Sequence, residues 1–229
     1  MLNMMRLDWL GMRTYRSRFV ISAISSVAWG ILFHTGLVIP YLVWGMFDAS
    51  LYCFDAEEKG KLNQLYLTLP ISRKTLISAR YILSLILQFI GIVAGVVFTV
   101  VSSRIMYGRA IINEHNFIPT PESLALIVCA SLLFCAVLSL VIHPILHKFG
   151  YAKAKILGYA LPMYGSIILI VVFILVAARV EAVGEFMDSA LQWALGNAVL
   201  ASVAILGVTA LFFVASYALS LRTYAKRDF

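Results

Sequence analysis

Hydrophobic residues fall along this chain in long runs separated by short polar breaks. The runs lie near 18–34, 36–53, 77–101, 123–147, 156–178 and 198–221. They approach the roughly 18–25 residues that a helix needs to cross a hydrocarbon core of about 30 Å. Six membrane-spanning helices are therefore expected. Only "HTG" separates the first two, so they must form a tight hairpin. Pro40 and Pro162 fall inside spans, where neighbouring helices can re-satisfy a carbonyl left without its N–H. The first run follows a basic segment, but no small-x-small cleavage site closes it, so it is expected to be a retained span.

Three polar breaks have a periodicity of their own. In 179–197, "VEAVGEFMDSALQWALGN" repeats apolar residues at helical spacing, with Glu181, Glu185 and Asp188 on the other side. That pattern predicts a helix at the outer interface, with a short structured loop as the alternative. In 1–17, Met5, Trp9 and Met12 form a weak stripe edged by Arg6 and Arg13, which fits either an interfacial segment anchored by Trp9 or a basic pre-sequence that sets topology. In 54–76, Leu62, Leu65, Tyr66 and Leu69 recur at i, i+3, i+4 and i+7. Asp55 and Glu58 have capping-box spacing. Pro70 stops the helix and Ser72 can cap the next. Gly60 costs about 1 kcal/mol in a helix interior, so propensity alone does not explain this segment. Its apolar stripe needs a cover, either the membrane surface and the chain's own helix ends or a groove on a partner.

Composition agrees with the pattern. Of 229 residues, 62% are hydrophobic and 13% charged, and the mean hydropathy is +0.94. A soluble domain carries about 25% charge. The fold class is an all-α polytopic membrane protein, read as one domain over 1–229. Fifteen of the eighteen Lys and Arg residues fall on one side of the six spans and three, Arg104, Arg109 and Arg179, on the other. The positive-inside rule then puts both termini in the cytoplasm and explains the net charge of +7 without nucleic acid. Cys53, Cys129 and Cys135 sit in apolar surroundings and read as small buried hydrophobes.

Candidate chemistry is sparse. The chain has no G-x-x-x-x-G-K-[ST] phosphate loop, no H-E-x-x-H and no G-x-S-x-G, so neither an enzyme nor a bound metal is expected. His143 and His147 have a spacing that can ligate a metal, but without a nearby acid or cysteine they read as structural or interfacial. Asp48 is the one acid inside a span. It is either an ion-pair partner for Arg80 or a site for an ion coupled to transport. Gly91 and Gly95, one turn apart, allow close helix approach, within the chain or between two copies.

"FDAEEKGKLNQLYLTLPISRKTLISARYI" resembles the signature of type-2 ATP-binding-cassette exporter permeases of the small six-span group. Glu57 and Glu58 match the acidic pair, Gly60 the glycine, and Leu62 and Leu65 the leucines. Leu69 with Pro70 matches the Leu-Pro, and Ser72 with Arg73 the Ser-Arg. The resemblance covers roughly 30 residues. Elsewhere it rests on six-span topology, cytoplasmic termini, the N-terminal interfacial segment and the outer helix. It implies that the loop is a coupling helix that docks on a separate ATPase subunit. ATP and Mg then belong to that partner and none to this chain. It also implies two ATPases beneath two permease copies, identical or paralogous, in a bacterial cytoplasmic membrane. The apolar spans favour an amphipathic or apolar cargo such as a peptide toxin or bacteriocin, with a drug or a lipid as alternatives. The outside loops are too small for the large periplasmic domains of some relatives. Competing readings are a secondary transporter that uses Asp48 and a non-transporting membrane scaffold.

Overall fold

The computed structural model describes residues 2–15, 17, 20–21, 23–25, 28, 35–60, 72–108 and 120–225. Most of the expected first span lies outside these residues, as do Leu62, Leu65, Tyr66, Leu69 and Pro70 of the loop stripe. The chain opens with helix α1 (Leu2–Met12) and a 3-10 turn at Arg13–Tyr15. A second such turn, Thr35–Leu37, leads into α2 (Val38–Ser50). Pro40 is the third residue of α2, where its absent N–H is one of the four that no helix can pair.

Leu51 alone separates α2 from α3 (Tyr52–Lys59). The long helix α4 (Arg73–Gly108) starts at Ser72, whose hydroxyl accepts from Thr75 N at 3.1 Å and caps it as the sequence indicates. Helix α5 (Pro121–Phe149) has a capping box between Thr120 and Ser123, with proline in its first turn. It ends at Gly150, whose φ of 77° is the left-handed value that glycine adopts without a Cβ penalty. There follow the single turn α6 (Tyr151–Ala154), a π-helical segment at Lys155–Ala160, α7 (Leu161–Ala177), α8 (Glu181–Gly196) and α9 (Ala198–Ala225). The π segment ends two residues before Pro162, whose missing N–H removes one bond of the regular i to i−4 ladder there.

No strand occurs among the described residues. Four of their helices, Lys74–Arg104, Pro121–Phe149, Gly158–Ala177 and Ala198–Ala225, are long and apolar enough to cross a membrane. The chain is an all-α polytopic membrane protein. Helix α5 packs along α9, and α2 along α4. The glycine pair of α4 faces α2. A Cβ on Gly91 would lie 2.9 Å from Leu42 O, and one on Gly95 3.0 Å from Ile39 Cα, so the two backbones meet with no room for a side chain.

The main core joins Ile39, Val43 and Phe47 of α2 to Cys135, Ile142 and Leu146 of α5. A smaller one joins Met4 of α1, Leu76 and Ile77 of α4 and Tyr224 of α9. Cys53, Cys129 and Cys135 are buried and free. The amphipathic segment in 179–197 is a helix, α8, and none of its residues is buried.

Candidate functional site

Helix α3 follows α2 after Leu51 and precedes the leucine-striped segment in sequence. It begins at Tyr52, three residues before the expected start, because the chain continues almost unbroken from α2. Asp55 therefore lies within the helix and does not cap it: the N-cap position is Leu51, which makes no side-chain bond. The capping box expected from Asp55 and Glu58 is replaced by three outward ties from Asp55, Glu57 and Glu58. Gly60 is the C-cap, and its N–H donates to Ala56 O at 2.9 Å.

Asp55 makes the first tie. It accepts from the Tyr15 hydroxyl at 2.7 Å and pairs with Lys59 one turn on at 2.8 Å. Lys59 Nζ also reaches Tyr15 Oη at 3.2 Å, and the Tyr15 and Tyr52 rings stack at 5.3 Å. Burial and the Asp55 carboxylate raise the Tyr15 pKa, and hydrogen bonds to Asp55 and Tyr15 raise that of Lys59. Lys59 in the last turn also complements the helix dipole.

Glu57 makes the second tie, an ion pair with Arg80 Nη2 on α4. The side chains of both are almost fully buried. Phe54 of α3 covers the guanidinium, with its ring centroid 4.4 Å from Cζ, a cation–π contact from the same helix. Asp8 of α1 approaches the other edge, its Oδ2 3.9 Å from Nε. Glu58 makes the third tie by accepting from the backbone N–H of Ala152 in the first turn of α6. Loop helix α3 is thus bound to the N-terminal segment, to α4 and to the connection between α5 and α7.

Behind this platform a polar chain joins three helices. Tyr81 Oη of α4 lies 2.7 Å from Ser216 Oγ and 2.8 Å from Ser220 Oγ, both on α9. Ser216 donates to Ser139 O of α5 at 2.6 Å, and Ser139 Oγ touches His143 Nδ1 at 3.1 Å. Away from water, paired hydroxyls of this kind hold helices together. His143 and His147 are buried among aromatic rings. His143 meets the Tyr81 ring edge-on at 4.6 Å, and His147 meets Phe54 at 4.9 Å. Both histidines are packing elements.

Asp48 does not pair with Arg80, contrary to the sequence expectation. Its Oδ2 accepts from Tyr52 at 2.8 Å, and its Oδ1 accepts from Tyr159 of the π segment. Arg80 instead lies beside Glu57, which comes from the next helix and not from the span. Trp9 is 54% exposed, whereas its neighbour Asp8 in α1 is buried. Sequence reasoning missed Asp8, Tyr15, Tyr159 and the Tyr81–Ser216 contact. Asp8 carried a usable signal as the one carboxylate in residues 1–47.

Salt bridges and hydroxyl contacts thus link α1, α3, α4, α9 and α5 in one series. Residues 7–225 match the family described as ABC-2 family transporter protein. No curated protein and no solved structure matches the chain.

Proposed function

The chain belongs to the ABC-2 transporter family, and from that premise we propose that it exports an amphipathic or apolar substrate through ATP hydrolysis on a separate subunit. It is the permease subunit of an ABC transporter, and its family implies an ABC ATPase partner. In our reading residues 61–69 dock on that ATPase, where ATP and Mg reside. Leu62, Leu65, Tyr66 and Leu69 fill an apolar groove. Gly60, Pro70, Ser72 and Arg73 bound the docking segment, while Glu57 and Glu58 hold its root to the bundle. Six spans make half a pathway, so two copies pair above two ATPases in a bacterial cytoplasmic membrane, with both termini inside. A peptide toxin or bacteriocin is the favoured cargo, because the spans are apolar and few charges line them.

The observation that carries this reading is the anchoring of α3. A helix tied to three other parts of the chain and followed in sequence by an apolar stripe is suited to pass a partner's movement into the spans. The test is to co-express the chain with the ABC ATPase encoded beside it, purify, and measure complex formation and ATP hydrolysis. Leu65→Asp places a charge in the middle of the stripe and is expected to abolish the complex or uncouple hydrolysis from export. Normal assembly and export by that variant would refute docking through 61–69. Transport in vesicles without ATP or partner would favour an ion gradient instead.

A further inference from the structure

We propose that Arg80 is a shared counter-ion, handed from Glu57 on α3 to Asp8 on α1 when the loop moves. This rests on the coupling role given above to the loop. The guanidinium stands between two carboxylates from two different elements, and all three side chains are almost completely buried. Two carboxylates thus flank one guanidinium in a place where an uncompensated charge is costly. The sharing is unequal. Glu57 touches Nη2, whereas Asp8 Oδ2 lies 3.9 Å from Nε, outside hydrogen-bond length.

Glu57 holds on by one oxygen only, since its Oε1 is buried without a hydrogen-bond partner. A single contact can be released, whereas a bidentate fork would resist. A charge-assisted bond needs about 2.8 Å, so Asp8 has to close a gap of only about 1 Å. Helices α1, α3 and α4 meet here, with α1 in contact with both of the others. Phe54 moves with α3, so tilting that helix withdraws the aromatic cover and the Glu57 carboxylate from Arg80 together. The hold of α4 then passes to α1, which leads towards the first apolar run. Arg80 in this role is a positioning residue: it decides which of two elements is fastened to α4.

Competition leaves a signature that a static three-way network does not. The full chain in lipid nanodiscs, without ATPase, is followed by hydrogen–deuterium exchange for Glu57→Gln and Asp8→Asn. Glu57→Gln is expected to speed exchange in residues 52–60 by about tenfold and to slow it in residues 2–12, because Arg80 turns to Asp8. Asp8→Asn is expected to do the reverse. If Glu57→Gln does not fold, Glu57→Asp shortens the reach and is expected to give the same signs with smaller size. Faster exchange in both segments for either variant, or no change in either, would overturn the proposal. Failure of the wild-type chain to bind an ATPase would refute the docking role and leave this exchange pattern intact.

Discussion

Two regions of the molecule are built by opposite rules. Around α3, acids, bases and tyrosines are drawn inward and paired with one another. Along α7 and α8, large apolar side chains point away from the chain, with Leu169 70% and Phe186 73% exposed. In the most apolar part of Gly158–Ala177 only 6% of residues are buried within the chain, against 39% for Pro121–Phe149. In a membrane protein the hydrophobic effect does not drive helices together, so an apolar helix has no need of an internal partner. A buried charge does need one. The polar region therefore specifies the arrangement of the elements, and the apolar part follows the surrounding lipid.

The strongest way to break this contrast is to remove Arg80. Arg80→Gln leaves Glu57 and Asp8 buried without their guanidinium and is expected to cost about 3–5 kcal/mol. Thermal unfolding in nanodiscs measures it. Leu169→Ala, which truncates an apolar side chain at an exposed site, is expected to stay within about 0.5 kcal/mol. Equal losses would erase the distinction between the two regions.

Gly158 tests the boundary between them. A Cβ there would lie 2.4 Å from Ile145 Cγ2 and 2.9 Å from Ala154 Cβ. Gly158→Ala therefore overpacks the π segment against α5, at about 1–3 kcal/mol by the same unfolding measurement. A neutral result would mean that this segment yields as freely as the rest of the fifth span.

The smallest effect comes from alkali. Tyr15 and Lys59 both have pKa values raised above their ordinary 10.0 and 10.5. Their contribution is fully present below those ordinary values and is lost as pH rises through the folded ones. The tie between Tyr15, Asp55 and Lys59 thus holds at neutral pH and loosens only in alkali. Spectrophotometric titration of tyrosine, compared with Tyr15→Phe, is expected to show one late-ionising group missing in the variant. Asp55→Asn should bring that group back towards the ordinary range.

Much of the fold was legible because lipid imposes length and apolarity on a helix whatever its neighbours. The α4, α5, α7 and α9 ranges follow from hydropathy, α8 from its period, and the start of α4 from Ser72. The partners of charged side chains were not legible. Asp55 with Glu58 has the spacing of a cap and equally the spacing of two ties out of the helix, and only the start at Tyr52 decides between them. Asp48 and Arg80 lie near the same end of adjoining spans, which makes an ion pair between them one of the two readings the sequence offers. The face of α2 on which Asp48 sits turns it to Tyr159, and the next helix brings Glu57 to Arg80. The family resemblance was carried by the motif at 57–73, and the match over 7–225 extends it to nearly the whole chain.

The most direct measurement places a photo-crosslinking residue at Leu65 in the loop stripe and, in a second variant, at Phe186 on α8, with the neighbouring ABC ATPase co-expressed. Docking through 61–69 predicts a covalent adduct with the ATPase from position 65 and none from position 186. An adduct from position 186, or none from 65 in a complex that still assembles, would contradict it.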